Sequence, residues 1–159
     1  MEHVNYKSRG WRNNNPCNIE KGAKWLGLDP QGQDKRFCTF TSLTYGFRAA
    51  FIIVCKSYYG KHYVTLEQII TRWVPTTENN TKAYINMVSK QTGIGRYTLL
   101  PRPSQLTANV WIPIVKAMAI HENGYWKREA DEHIEKAFKM VFPATTVQTI
   151  PDEDNTFGY

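Results

Sequence analysis

The sequence lacks the patterns that mark metal sites, phosphate-binding loops and disulfide frameworks. It contains three cysteines and four histidines, with no CxxC pair and no zinc-type spacing. At most one disulfide could form, so synthesis in a reducing compartment is the simpler expectation. The glycines at 93 and 95 are too few for a phosphate loop. We therefore expect no metal and no cofactor.

Long apolar runs are also missing. The first residues, MEHVNYKSRGWRNNN, have no apolar core of the signal-peptide type, and no stretch approaches the roughly 20 apolar residues of a membrane span. These absences predict synthesis in the cytoplasm and no membrane insertion. A target outside the cytoplasm, such as the cell wall, would then require delivery by a virion or by another export system.

Positive charge is in excess, with 20 Lys and Arg against 14 Asp and Glu and a net charge of +6. A basic protein attracts polyanions, including nucleic acid, anionic membranes and the acidic bacterial wall. No recognised nucleic-acid motif accompanies the charge, and the basic residues are scattered rather than gathered on one helix. We therefore do not expect nucleic acid as a partner.

The length of 159 residues suits a single domain. Turn-forming residues dominate positions 1–40 and predict irregular structure, with a candidate short strand in RFCTFT at 36–41. Apolar periodicity predicts five helices, at about 42–59, 65–73, 81–93, 107–122 and 129–141, the fourth kinked or restarted at Pro113. The expected fold is mainly α, with a helical domain over 1–143 and an acidic tail over 144–159.

The most informative residue is Glu122. It follows Trp111, Val115 and Met118 at steps of four, three and four residues, so it shares their apolar helix face just before Gly124. Apolar neighbours and the negative end of the helix dipole both raise a carboxyl pKa. A carboxyl group that stays protonated near neutral pH is what a glycosidase needs as its acid. The open alternative is charge balance with a nearby base: Lys116, Lys127 or Arg128.

A second unusual segment is RGWRNNNPCNI at 9–19, which contains Asn13, Asn14, Asn15 and Asn18. Three consecutive asparagines before a proline are typical of a turn rich in amide donors and acceptors. Such groups can bind the N-acetyl and hydroxyl groups of sugars, or can hold the turn and cap neighbouring helices.

Several segments together resemble a family of phage and prophage proteins, described as phage structural proteins or lysozyme-like wall-degrading enzymes. They are RGWRNNNPCNI, WLGL at 25–28, RFCTF at 36–40, YGFRA at 45–49, ITRWVPTTENNTKAYINMVSKQTG at 70–93 and AMAIHENG at 117–124. This resemblance implies a lysozyme-like fold and a site that binds glycan through the four asparagines together with Trp25, Tyr45 and Asn123. Cys17 departs from the family pattern, which carries glycine there.

A more distant similarity links PTTENNTKAYINMV at 75–88 and AIHENG at 119–124 to lytic transglycosylases and glucosaminidases. It implies that Tyr84 lies beside the catalytic acid Glu122 and that Asn123 orients the carboxylate. In those enzymes the glutamate helix precedes the Asn-rich region, whereas here it follows. A circularly permuted lysozyme-like arrangement would explain the reversed order.

The resulting hypothesis is a peptidoglycan-cleaving enzyme, either a lytic transglycosylase or a muramidase or glucosaminidase. The second carboxylate stays open among Glu20, Asp29 and Glu78, and a single acid would favour formation of an anhydro-sugar. Its partners would be peptidoglycan strands and the proteins of a virion or delivery system. The main alternative is a non-catalytic phage structural or wall-binding protein. Another is a cysteine peptidase or amidase that uses Cys17.

Overall fold

The computed structural model describes residues 8–74 and 78–144, and this part of the chain is mainly helical, as the sequence predicts. The helices are α1 (Arg9–Arg12), α2 (Leu43–Phe51) with a π-helix that continues it (Ile52–Tyr58), α3 (Leu66–Trp73), α4 (Glu78–Thr92), a 3₁₀ turn (Gln105–Thr107), α5 (Ala108–Asn123) and α6 (Ala130–Val141). Most of the predicted tail, residues 145–159, lies outside the described residues, so the proposed domain boundary stays a prediction.

Helix α5 packs against α4, α6 and the short α1, while α2 lies along α6 and α3 lies against α4. The apolar stripe of α5 is fully buried at Trp111, Val115 and Met118, as its periodicity predicts. Large aromatic side chains fill the space between the helices; Phe51 of α2 and Phe138 of α6 meet edge to face at 5.1 Å. Burial of these apolar faces is the main stabilising contribution to the fold. No helix among the described residues is both long and apolar enough to cross a membrane.

The predicted strand at 36–41 does not form a ladder. Only isolated antiparallel bridges occur in this region, between Glu20 and Phe37 and between Leu28 and Phe40. The reason is that backbone N–H groups on the same edge of the segment serve different parts of the chain: that of Cys38 donates to the Ile19 carbonyl, whereas that of Phe40 donates to the Asn13 carbonyl. A segment whose donors are divided in this way cannot pair along one strand.

Helix α3 begins where the sequence predicts, at Thr65. The Thr65 hydroxyl accepts a hydrogen bond from the Gln68 N–H, and the Gln68 side chain accepts one from the Val64 N–H. The first bond satisfies a backbone donor that a helix N-terminus leaves unpaired, and the second holds the residue before the cap. This cap fixes the direction of α3, whose other end carries Trp73.

The predicted restart at Pro113 is not observed, since α5 runs unbroken from Ala108 to Asn123, and the alternative of a kink there stays a prediction. Pro113 lies early in the helix, where its missing N–H costs one bond to the carbonyl of Asn109. Asn109 is exposed, so solvent can satisfy that carbonyl. The continuous helix carries Glu122 to its last turn.

Candidate active site around Glu122

Glu122 is the second-to-last residue of α5, and its partly buried carboxylate receives three hydrogen bonds from different parts of the chain. The Tyr84 hydroxyl donates to Oε2 at 2.9 Å, and the Trp73 indole N–H donates to the same oxygen at 3.3 Å. The Asn18 amide donates to Oε1 at 2.9 Å. The structure therefore brings together the predicted acid and two predicted site residues, and adds Trp73.

Two opposing effects act on the Glu122 pKa. Burial disfavours the charged carboxylate and raises its pKa, whereas the hydrogen bonds from Asn18, Tyr84 and Trp73 stabilise the charge and lower it. Burial is the larger effect, so the pKa of Glu122 lies above its usual range. The alternative prediction, an ion pair with Lys116, Lys127 or Arg128, is not seen among the described residues: Lys116 approaches Asp131, Lys127 approaches Glu129, and no ion pair joins Arg128 to Glu122.

Tyr84 reaches the site from the middle of α4 and is almost fully buried. Burial, together with the nearby Glu122 charge, raises the pKa of the Tyr84 phenol well above its usual range. The phenol therefore keeps its proton and remains a donor to Glu122. Its ring packs on His121, with the ring centroids 4.1 Å apart, which fixes the side chain from the α5 side.

Only one of the four predicted asparagines of the turn reaches Glu122. Asn18 adopts a left-handed backbone conformation (φ 52°), which a short polar side chain tolerates better than most. Its Nδ2 bonds Glu122, while its buried Oδ1 has no hydrogen-bond partner among the residues that the structure describes. Asn18 thus keeps an unused acceptor beside the carboxyl group.

The other three asparagines hold the turn itself. Asn15 is fully buried and donates to the carbonyls of Ile19 and Cys38. Asn14 donates to the Phe40 carbonyl, and Asn13 bonds Asp34. Their amides are engaged in internal hydrogen bonds, which is the turn-forming role that the sequence left open. Sugar binding by these three residues stays a prediction.

Asn123 is buried next to Glu122, but its amide bonds other groups. Its Nδ2 donates to the carbonyls of Pro16 and Ala119, and its Oδ1 accepts hydrogen bonds from the Ser8 hydroxyl and the Trp11 N–H. Asn123 therefore ties the Asn-rich turn to the end of α5. In the structure it positions the segment that carries Asn18 and makes no described bond to the Glu122 carboxylate.

Trp25 and Tyr45, the aromatic residues predicted to bind glycan, pack partly buried against the core. The Tyr45 ring covers Gly27, where an added Cβ would come within 2.2 Å of the ring. Both aromatic residues thus help to close the N-terminal region, and neither lines the groove that Asn18 borders beside Glu122. Their role in binding glycan remains a prediction.

A groove of about 240 Å³ lies beside the Glu122 contacts. One wall is the turn segment 18–20, the second is Ile53 and Tyr58 of the π-helix, and the third is Arg72 and Trp73 at the end of α3. Asn18 and Trp73 therefore both line the groove and donate to Glu122. The sequence did not predict Trp73 as a site residue, although an indole at the end of the apolar stripe of α3 carries an N–H that needs a partner when it is partly buried.

The candidate second carboxylates are placed differently from one another. Glu20 lines the groove and is held by two hydrogen bonds from Arg36, at 2.7 and 3.1 Å. Asp29 accepts a hydrogen bond from the Gln31 N–H and borders other depressions of the surface. The Glu78 side chain lies outside the described residues. Among the described acidic residues, none makes a hydrogen bond to Glu122.

The three cysteines are buried and free. Burial raises the pKa of the Cys17 thiol well above its usual range, and the nearby Glu122 charge adds to this effect. A nucleophilic cysteine requires the opposite shift, towards the thiolate. The environment of Cys17 therefore argues against the peptidase or amidase alternative.

The sequence is similar to that of protein P5 of Pseudoalteromonas phage PM2, with 37% identity over 144 residues that cover 87% of this chain and 85% of that protein. No family model matches the chain. The name of the relative states no activity, but its source supports a phage origin for this chain. Since the similarity extends over most of both proteins, the chain belongs to the family of protein P5 of phage PM2.

Proposed function

We propose that the chain is a phage enzyme that cleaves the glycan strands of peptidoglycan, with Glu122 as its general acid. The observation that carries the proposal is a partly buried carboxyl group of raised pKa, held by three donors, two of which also line a groove. A carboxyl group of this kind can remain protonated near neutral pH and pass its proton to the oxygen of a departing sugar.

The hydrogen bonds favour one oxygen of Glu122 as the proton carrier. Oε2 accepts from both Tyr84 and Trp73, whereas Asn18 is the one donor to Oε1 among the described residues. Each carboxylate oxygen offers about two lone pairs, so Oε1 has one left for the proton. Asn18 also lines the groove, and this supports proton donation from Oε1 towards a glycosidic oxygen bound there.

A single positioned acid supports the lytic transglycosylase version of the reaction, in which a hydroxyl of the substrate completes the displacement and leaves an anhydro-sugar end. Glu20 is the described acidic residue that lines the groove, and Arg36 holds it. Mass spectrometry of digested peptidoglycan separates the two outcomes: anhydro-muramic ends support the transglycosylase, whereas reducing ends throughout contradict it and implicate a second carboxylate.

The direct test is Glu122→Gln, which removes the transferable proton while keeping the shape of the side chain. We expect the rate of turbidity loss of purified cell walls to fall by about 10²- to 10⁴-fold, the usual contribution of general acid catalysis. Glu132→Gln is the matched control, because Glu132 is exposed on α6. If Glu122→Gln clears walls as fast as the parent chain, the acid assignment is wrong and the non-catalytic phage structural or wall-binding alternative is favoured.

The similarity to a phage protein supports delivery of the enzyme to the wall by a virion or by phage-encoded lysis. Both routes are compatible with a lysozyme-like fold, which we retain as part of the proposal. In such a fold, a glutamate at the end of a buried helix would face a glycan cleft. The circular permutation belongs to the same proposal, and the contacts of Glu122 with Asn18 and Tyr84 support it.

A further inference from the structure

Arg72 lies at the edge of the groove, and it forms no ion pair with a described carboxylate. It is exposed, it lines the groove, and its guanidinium lies 5.9 Å from the centre of the Tyr58 ring. Two other surface arginines of the described chain have acidic partners: Arg9 pairs with Asp34, and Arg36 pairs with Glu20. Among the described residues, no carboxylate lies within salt-bridge distance of Arg72, so its charge is available to a ligand.

The acidic residue of the same groove does not cancel this charge. Glu20 is already bound by Arg36, whose Nε and Nη2 both donate to the same carboxylate oxygen, Oε2, and such charge-assisted hydrogen bonds offset the two charges. The pair Glu20–Arg36 is therefore close to neutral, while Arg72 leaves the groove with a positive charge. A ligand that carries a carboxylate would be favoured over a neutral one of the same shape.

The other walls of the groove suit a sugar ring. The Tyr58 and Trp73 rings meet edge to face at 6.3 Å, and both line the groove. Aromatic rings of this type combine an apolar surface with a polar edge, which matches a sugar with its C–H face and hydroxyl rim. The volume of about 240 Å³ is below the range of roughly 300–1,000 Å³ that is usual for drug-sized ligands, and is on the scale of one sugar ring.

We infer that the groove is a subsite for a sugar unit bearing a carboxylate, in which Arg72 binds the carboxylate and the Tyr58 and Trp73 rings hold the sugar. This inference rests on the proposed function, because Trp73 contacts both the groove and Glu122 and so joins the subsite to the bond that is cut. The carboxylate could belong to the lactyl group of muramic acid or to a stem peptide, and both present the same chemistry to a guanidinium.

The test measures binding by titration calorimetry with the full chain carrying Glu122→Gln, so that ligands are not consumed. The probes are neutral di-N-acetylchitobiose, a peptide-free disaccharide of N-acetylglucosamine and N-acetylmuramic acid, and the same disaccharide with its stem peptide. We expect Arg72→Gln to weaken binding of at least one acidic probe by about fivefold, in line with an exposed charge contact, and to leave chitobiose nearly unchanged. The acidic probe that loses affinity identifies the source of the carboxylate.

Two further variants control for charge and folding. Arg72→Lys keeps the charge and should retain part of the preference for acidic probes, although it loses the planar guanidinium that can donate two hydrogen bonds to one carboxylate. Arg102→Gln removes the same charge from an exposed loop position away from the groove, and should leave all three affinities unchanged. A loss of affinity in Arg72→Gln that is equal for neutral and acidic probes, no loss at all, or no binding of any probe by the parent overturns the inference.

The results for the subsite and for the acid can be read separately. If wall cleavage depends on Glu122 but Arg72→Gln does not change the binding of acidic probes, the subsite is wrong and the enzyme assignment stands. If acidic probes bind selectively through Arg72 but Glu122→Gln does not affect wall clearing, the assignment of Glu122 as the acid is wrong. The groove would then be a carbohydrate-binding site.

Discussion

At the scale of single residues, the behaviour of Glu122 depends on a balance between burial and hydrogen bonding. Burial raises its pKa, and the three donors oppose that rise. A site with fewer donors would raise the pKa further but would hold the carboxyl group less firmly. The three donors therefore fix the orientation of the Glu122 carboxyl group while its pKa stays above the usual range. Removal of any one donor should raise the Glu122 pKa further.

Tyr84→Phe tests this balance. The Tyr84 hydroxyl stabilises the charged form of Glu122, so its removal should raise the Glu122 pKa further. Activity that requires protonated Glu122 declines as the pH rises through that pKa. The declining limb of the pH–rate profile of wall clearing should therefore move to higher pH in the variant.

The control for this experiment is Tyr97→Phe, because Tyr97 is 71% exposed. Its pH profile should match that of the parent chain. A limb that stays in place in Tyr84→Phe, or that moves to lower pH, would contradict the assignment of Glu122 as the acid that titrates in the reaction.

At the scale of secondary-structure elements, the π-helix explains how one groove wall is built. Residues five apart point to different faces of an α-helix, yet Ile53 and Tyr58 both line the groove. The wider repeat of the π-helix Ile52–Tyr58 brings them to the same side. Sequence periodicity predicted one continuous α-helix through this region, because the apolar pattern hardly distinguishes the two repeats over so few residues.

The packing of α2 against the Asn-rich turn (residues 13–18) depends on Gly46, which lies in α2. An added Cβ there would lie 2.1 Å from the Asn14 carbonyl oxygen and 2.9 Å from Pro16. We expect Gly46→Ala to lower the free energy of unfolding by about 1–3 kcal/mol, the usual cost of overpacking. Urea denaturation measures the change.

Gly60→Ala provides the comparison. No atom lies within 4 Å of a Cβ at Gly60, and its φ is not positive. The substitution should therefore leave stability unchanged or raise it by up to about 1 kcal/mol. Equal destabilisation by both substitutions would mean that the close approach at Gly46 does not govern the packing of α2 on the turn.

At the scale of the whole molecule, Asp34 holds the N-terminal region in place. Arg9 donates two hydrogen bonds to it, at 2.7 and 2.8 Å, and the backbone N–H groups of Phe37 and Arg36 and the Asn13 amide add three more. These contacts, with that of Arg9 the largest, hold the pKa of Asp34 well below its usual range. The network links α1 and the Asn-rich turn to the segment at 34–40.

This network predicts the response to acid. A carboxyl group whose pKa is lowered in the folded state stabilises the fold above its unfolded pKa, and that stabilisation is lost as the pH falls towards the folded value. The thermal midpoint should therefore fall on acidification below about pH 4, and less steeply in Asp34→Asn, which is already destabilised at neutral pH. Glu132→Gln, on the exposed side of α6, should keep the acid response of the parent, and equal slopes in all three proteins would contradict the role of Asp34.

The sequence by itself determined the mainly helical character of the chain, the approximate extent of most helices and the position of Glu122 at the end of a buried stripe. These features follow from apolar periodicity and end signals, which are local along the chain. The same local signals could not separate the asparagine that reaches Glu122 from the three that hold the turn, because all four have the same side chain and the same turn context.

The tertiary structure alone decided which groups surround the carboxyl group. Asn18 lies 104 residues from Glu122 in sequence, Trp73 lies 49 residues away, and Tyr84 lies 38 residues away. Side chains so far apart meet only when the packing of α3, α4 and α5 and the pinning of the turn by Asn123 set their relative positions. Local backbone preferences carry no information on such distances, which is why the groove and Arg72 became visible only in the folded chain.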